Sequence, residues 1–366
     1  MRIELPWLLV YLVLVLTFIA WIYRRNALKK VAYSRHFSKA SAFEGEEIEM
    51  VERIVNRKLL PLPWVRLESL IPRGLLFGKQ ANLDVRSGEL YQNHISLFSL
   101  RSYRQIIRRH KVRCAHRGYY RLDTATMTAG DPVGLNSVSR RFPLSLELLV
   151  YPSAVALEEL PLPNHSWLGE LAVRRWIVED PFLSSGVREY RPGDPLQSVN
   201  WKATARTGAL QVHKKDYTAD HRLMICLNFE TSETMWKAVI DPPRIELGIR
   251  YAASVAAYAI GNGIETGLLC NGRIKTGTKE AVRIDPFGGS GQLTDLLAAM
   301  AKLELETAAA LDWLLEQEVR SGAQDTDYLI ITCHRGEKLL RRAEELRQAG
   351  NGVEWMMIPE IGEGGQ

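Results

Sequence analysis

The sequence predicts an α+β multidomain chain: an N-terminal transmembrane helix, an antiparallel β-sandwich, then a doubly wound α/β domain. Three observations predict it. Residues 5–23 (LPWLLVYLVLVLTFIAWIY) carry no charge, residues 37–152 break into short alternating runs, and residues 220–360 alternate apolar strands with helical segments. The chain has 366 residues, 46% hydrophobic and 24% charged, enough for two or three domains. That balance excludes both a disordered chain and a polytopic membrane protein.

At about 1.5 Å per residue, 5–23 makes roughly 28 Å of helix, close to the thickness of a bilayer's hydrocarbon core. Trp7, Trp21 and Tyr23 stand near its ends, where amphipathic rings favour the interface. A cleaved signal peptide fits less well, because Arg2 alone precedes the long run and no Ala-x-Ala site follows it. Arg24, Arg25, Lys29, Lys30, Arg35 and Lys39 come next, with no acid before Glu44. The positive-inside rule therefore places the body on the cytoplasmic side of the cell membrane, held by a single pass. Residues 24–36 read as a basic juxtamembrane linker, suited to anionic lipid.

Strands are predicted at 47–55, 65–71, 95–100, 108–115, 119–128 and 146–150, the spacing of a sandwich at 37–152. Residues 101–121 are dense in Arg and Lys and hold no acid. Lys111 and Arg113 alternate with Val112 and Cys114, which predicts a strand with one solvated basic face. A docking face for lipid headgroups or an acidic partner is the other reading. With a net charge of only +5 and no interleaved stacking platforms, no nucleic-acid partner is predicted.

The α/β domain has predicted strands at 223–229, 266–270, 328–332 and 353–358, and helices at 245–260, 292–302, 308–319 and 336–349. Asp241-Pro242-Pro243 opens the first helix, and Asn271-Gly272 predicts a hairpin turn into 273–276. Residues 361–366 read as a flexible tail. Cys114, Cys226, Cys270 and Cys333 are widely spaced, which excludes a disulfide framework and a structural zinc site. HExxH, GxxxxGK[ST] and GxSxG are all missing, so the chain is predicted not to be an enzyme. His213 and His334, near the expected sheet edge, read as surface or packing residues.

Residues 153–219 connect the two domains, and 184–217 is their most unusual stretch. Asp194 is predicted to cap a short helix running through Trp201 to Arg206, closed by Thr207-Gly208, before a strand at 209–217. Charge this dense around Trp201 is not ordinary core. It reads either as a staple between domains or as a partner- or ligand-binding surface.

The string 188–194 (REYRPGD), continuing through 199–208 (VNWKATARTG), resembles the signature of the bacterial domain-of-unknown-function 58 family. Arg117-Gly118-Tyr119-Tyr120, Asp131-Pro132-Val133-Gly134-Leu135 and Val150-Tyr151-Pro152 also match that family's pattern. Gln197 departs from it where a basic residue is frequent, and one membrane helix stands where many members have two. The resemblance implies that 220–360 is a von Willebrand factor A-like (vWA-like) domain with a Mg²⁺ site. Glu230, Ser232, Thr234 and Ser290 would occupy its ligand positions, with Cys333 where an Asp is expected. Glu for Asp moves a carboxylate outward by one methylene, and a soft thiol does not suit Mg²⁺, so the site is degenerate and no cofactor is expected.

The resemblance further implies partners: a MoxR-type AAA+ ATPase and a transglutaminase-like membrane protein, beside the lipid bilayer itself. The implied role is a non-enzymatic adaptor or co-chaperone in assembling or maturing envelope complexes. Arg188, Tyr190, Arg191, Asp194, Trp201, Lys202 and Arg206 are the expected partner-binding residues. Two alternatives stand beside this: a divalent-metal-dependent binder or enzyme using the degenerate site, and a structural envelope-stress or sporulation factor.

Overall fold

The uncharged N-terminal run folds as α1 (Leu5–Asn26) in the computed structural model, which describes residues 5–78, 83–87, 91–161, 179–190, 199–217, 222–233, 239–275 and 280–360. Its stretch Trp7–Asn26 is long and apolar enough to cross a membrane. The chain divides into two compact units, Met1–Ser153 and Ala154–Gln366.

In the first unit, α1 is followed by β1 (Val31–Phe37), β2 (Ser41–Phe43), β3 (Glu47–Asn56), β4 (Leu62–Pro72) and β5 (Leu75–Phe77). Then come β6 (Leu83–Ser87), β7 (Tyr91–Leu100), β8 (Gln105–Cys114), β9 (Gly118–Gly130) and β10 (Ser137–Tyr151). They form a sheet of order β1-β3-β8-β5 and a second of order β2-β10-β9-β4-β7-β6, antiparallel except for the parallel pair β2–β10. Both sheets feed the same two apolar cores. Ile54 of β3 shares one with Leu67 of β4 and Met127 of β9, while Met50 shares the other with Ile71 and Leu148. The basic stretch behaves as its alternation predicts: Lys111 and Arg113 are exposed, Val112 and Cys114 buried.

The expected basic linker at 24–36 needs correction. The helix continues to Asn26, and β1 begins at Val31. Tyr23, Ala27 and Leu28 are buried in a core with Ile54, Leu62 and Phe142. The last carbonyls of a helix need donors from outside it. Lys58 supplies them, with Nζ 2.9 Å from Asn26 O and 2.9 Å from Lys29 O, and a further bond to Ala27 O. The segment is a docked joint, and no solvated tether lies between helix and sheets.

Arg35, counted in the basic run, points inward. Its Nη2 lies 2.5 Å from Glu52 Oε1 and 3.1 Å from Ser69 Oγ, and both Arg35 and Glu52 are buried. Tyr33 OH donates to Glu52 Oε1 at 2.9 Å, and His110 Nε2 lies 3.0 Å from Glu52 Oε2. A carboxylate only accepts, so His110 Nε2 carries the hydrogen. Burial alone would push the Glu52 carboxyl up. The His110 hydrogen bond and the Arg35 charge outweigh burial and hold it at about 2.

In the second unit a 3-10 turn, Leu157–Glu159, precedes the antiparallel hairpin of β11 (Glu179–Glu189) and β12 (Gln211–Tyr217), with α2 (Trp201–Thr207) between them. Then come β13 (Arg222–Leu227), α3 (Pro242–Gly261), β14 (Glu265–Ile274), β15 (Ala281–Phe287) and α4 (Ser290–Lys302). The chain continues as β16 (Leu303–Thr307), α5 (Leu311–Arg320), β17 (Thr326–Thr332), α6 (Glu337–Gln348) and β18 (Gly352–Met357). Strands β14, β13, β17 and β18 are mutually parallel in that order, and β15 and β16 add antiparallel pairs to β14. Both faces are covered. Met224 and Cys226 pack with Leu311 and Leu315 of α5 and Leu339 and Leu346 of α6, while Gly248 of α3 lies against Leu227 and Ile358. The segment 153–219, expected to join two domains, falls in this unit from Ala154 onward.

Asp241 opens α3 as expected, its Oδ1 accepting from Arg244 N at 3.2 Å ahead of two prolines. The expected turn at Asn271-Gly272 is overturned, because β14 runs straight through it. Asn271 is buried, and its side chain is engaged inside the fold. β15 and β16 were not predicted: Asp285-Pro286 inside β15 carries turn chemistry, and α4 leads directly into β16. The predicted tail 361–366 lies outside the described residues.

Candidate functional site

Two places gather the residues that the sequence singled out: the α2 hairpin and the carboxyl edge of the parallel strands. In the hairpin, Asn200 is the helix cap, its Oδ1 accepting from Ala203 N at 2.9 Å. Asn200 stands directly before the first helical turn, where its side chain reaches the free amides, whereas the cap expected at Asp194 lies outside the described residues. Gly208 ends α2 at φ 72, a left-handed conformation that favours glycine. Thr204 ties helix to strand: its Oγ1 donates to Asn200 O at 2.9 Å and accepts from Gln211 N at 3.0 Å. Asn200 N also donates to Gln211 O at 2.8 Å, and Tyr190 N to Leu210 O at 2.9 Å.

This frame holds α2 with its large side chains outward. Trp201 is 67% exposed, and Lys202, Ala205 and Arg206 are exposed as well. Trp201 and Ala205 share one face at the i, i+4 spacing, and Lys202 and Arg206 share the next. Tyr190 is half-buried at the end of β11, and Arg188 pairs with Val212 in the ladder. Arg191 and Asp194 lie outside the described residues. Of the expected partner-binding set, the fold brings Tyr190, Trp201, Lys202 and Arg206 onto one small unit.

At the carboxyl edge, three neighbouring strands each carry a buried polar residue at the same level: Asn228 just after β13, Asn271 within β14 and Thr332 at the end of β17. Asn271 Nδ2 donates to Asn228 Oδ1 at 2.8 Å, and Asn228 Nδ2 to Thr332 Oγ1 at 3.1 Å. Phe229 N donates to Asn271 Oδ1 at 2.8 Å, and Glu230 N to Asn228 Oδ1 at 3.0 Å. A buried network with its members paired fixes the loop that leaves β13. Reasoning from sequence missed these three residues. Their signal was a polar residue closing each apolar run, in LMICLN, GLLCN and YLIIT.

Parallel strands whose order reverses between β13 and β17 present a crevice at that edge, the usual ligand position of open α/β sheets. Here the chain bridges it. His334 Nδ1 lies 3.1 Å from Glu230 O, which assigns the hydrogen to Nδ1 because a carbonyl only accepts. The Glu233 side chain occupies the space that a β-carbon at Gly336 would take. Glu230 itself is half-buried, and its Oε2 accepts from Leu311 N at 3.3 Å, at the start of α5. Burial pushes its carboxyl up from the usual range, opposed by that amide. Burial likewise pushes the Cys333 thiol up to about 11.

Among the described residues, the expected metal positions Glu230, Ser232 and Ser290 do not converge. Glu230 and Ser232 follow the carboxyl end of β13. Ser290 follows β15, whose last residue, Phe287, pairs with Thr266 near the amino end of β14. Because β15 is antiparallel, it returns the chain to the opposite sheet edge, about 13 Å of strand away from the Leu227–Cys270 pair. Thr234 lies outside the described residues. Among the described residues, no three His, Cys, Asp or Glu side chains gather as a metal site would need.

Fold and site together define an α+β chain with one N-terminal apolar helix, several sheets and a capped signature hairpin. Residues 186–344 match the model of the family described as Protein of unknown function DUF58. The chain is similar to Uncharacterized protein YeaD of Bacillus subtilis (strain 168), 20% identical over 340 residues that cover 92% of this chain and 79% of that one. The match over 186–344 and the likeness to YeaD support the resemblance to the DUF58 family. Among solved structures, a non-cellulosomal cohesin of the archaeon Archaeoglobus fulgidus aligns at 16% identity and TM-score 0.23, covering 35% of this chain and 94% of that one. The sporulation control protein Spo0M of Bacillus subtilis aligns at 10% identity and TM-score 0.19, covering 32% and 50%. At such scores neither likeness carries an argument.

Proposed function

We propose that this protein is a non-enzymatic, single-pass membrane-anchored adaptor that docks a protein partner on the surface of α2. The observation that carries the reading is Trp201, 67% exposed on a helix capped at both ends. An exposed Trp flanked by cations has the composition of an interface anchor, and rigid presentation lowers the entropy lost on binding. Lys202 and Arg206 would pair with acidic groups of the partner. In this reading the first unit is a β-sandwich and the second a vWA-like domain, which the β14-β13-β17-β18 order with an antiparallel edge strand supports. The family resemblance suggests a MoxR-type AAA+ ATPase as partner, a transglutaminase-like membrane protein nearby, and a role in envelope-complex assembly. Arg24 and Arg25 in the last turn of α1, with Lys29 and Lys30 after it, support a cytoplasmic body.

The metal-dependent alternative has less support, because Glu230 and Ser232 stand at the sheet edge opposite Ser290. Detergent capture of the full-length protein, with and without nucleotide, tests the adaptor reading. Recovery of an AAA+ ATPase with the wild-type chain, reduced for Trp201→Ala, supports it. Finding none in either condition sinks it.

A further inference from the structure

We infer that the end of the first unit from which α1 emerges is a membrane-embedded rim: its loops seat apolar tips in the interface of an anionic bilayer. The inference rests on reading α1 as a membrane span.

The first argument is the missing spacer. The uncharged run ends at Tyr23, and Tyr23 is already part of the unit's core. If the run fills the hydrocarbon layer, the sheets begin at headgroup level. Lys58 Nζ on the carbonyls of Asn26 and Lys29, and Arg57 N donating to Lys30 O at 3.0 Å, hold the β3–β4 loop at the last turn of α1. Tyr103 N donates to Lys58 O at 3.2 Å, which brings the β7–β8 loop to the same level. The β9–β10 loop joins them: Trp64 Nε1 donates to Asp131 O at 3.1 Å, and Val65 pairs with Ala129.

The second argument is what these loops present. Leu59 is 75% exposed, Tyr103 68%, Val133 52% and Leu135 60%. Three separate loops thus carry apolar tips at one end, where a water-facing rim would carry polar ones. The β9–β10 loop is built to hold its tips out. Asp131 is buried, and its carboxylate accepts from the backbone N–H of Val133 at 2.9 Å, Gly134 at 2.5 Å, Leu135 at 3.1 Å and Asn136 at 2.6 Å. That arrangement makes a rigid platform from the Asp131-Pro132-Val133-Gly134-Leu135 motif.

The third argument is charge. Arg57, Arg101 and Arg104 are exposed on the same loops, next to Lys29 and Lys30. Apolar tips ringed by Arg and Lys suit a headgroup layer that carries negative charge.

Depth quenching on the full-length protein tests this. A polarity-sensitive fluorophore is placed at Leu59→Cys, Leu135→Cys, Val13→Cys and His116→Cys, the native cysteines being buried. His116 precedes β9 at the end opposite the β9–β10 loop, about 40 Å along the strand. In phosphatidylcholine vesicles containing phosphatidylglycerol, nitroxides near the headgroup should quench Leu59 and Leu135 but not His116. Nitroxides deep in the chains should quench Val13. Omitting phosphatidylglycerol should lower quenching at Leu59 and Leu135 about twofold. Quenching at Val13 with none at Leu59 or Leu135 overturns the rim and leaves the span intact. No quenching at Val13 removes the span, and the rim with it. Equal quenching without phosphatidylglycerol overturns the anionic preference.

Discussion

Lys58 Nζ sits 2.9 Å from the carbonyl oxygen of Asn26, the last residue of α1, and 2.9 Å from that of Lys29. One ammonium group thereby satisfies the end of the apolar helix and fixes it to the sheets. Lys58→Met should leave those carbonyls unpaired and cost the first unit about 1–3 kcal/mol. Urea unfolding in detergent should show an earlier midpoint, and Lys58→Arg should restore part of the loss.

Glu52 makes the first unit sensitive to acid. Its carboxyl stands at about 2 in the fold against an ordinary 4.5. A depressed folded value contributes stability that is complete above the unfolded pKa and is lost as pH falls through the folded one. The window is therefore about pH 4.5 down to 2, and the amount roughly 3 kcal/mol. Unfolding free energy measured across that range should fall with pH, and Glu52→Gln should flatten the fall while lowering stability at neutral pH.

Asp131→Ala should remove four backbone hydrogen bonds and collapse the β9–β10 loop, destabilising the unit by about 2–4 kcal/mol. The backbone amides of Val133, Gly134, Leu135 and Asn136 should lose protection from hydrogen exchange in the variant before any other part of β9 or β10 does.

Asn271→Leu should unpair Phe229 N and one lone pair of Asn228 at once, at a cost of about 2–4 kcal/mol. Thermal unfolding should register the loss. A stability equal to wild type would mean that the strand-end network does not hold the β13 loop.

How far the sequence reveals this molecule depends on what each pattern encodes. Apolar runs such as 223–229 and 328–332 identified buried parallel strands, because burial on both faces leaves little else. The alternation of Lys111 to Cys114 identified one face of β8 for a similar reason. Local turn chemistry misled where tertiary contacts absorb it: Asn271 reads as a turn residue until Asn228 and Phe229 are placed beside it. Arg35 reads as solvated charge until Glu52 appears across the ladder, paired to it in β1–β3 register. Ser290 stood with Glu230 only through the resemblance, and the antiparallel return of β15 separated them. In the signature hairpin, Trp201 and its cations were legible as unusual, whereas Asn200 and Thr204, which present them, were not.

The central claim is that α2 docks a partner through Trp201. The direct test is the affinity of the purified full-length protein, in detergent, for the AAA+ ATPase recovered with it, measured for wild type, Trp201→Ala and Arg206→Ala. The account predicts binding at least about tenfold weaker for Trp201→Ala, with an unchanged Tm because the side chain is exposed. Equal affinity for wild type and both variants would contradict it.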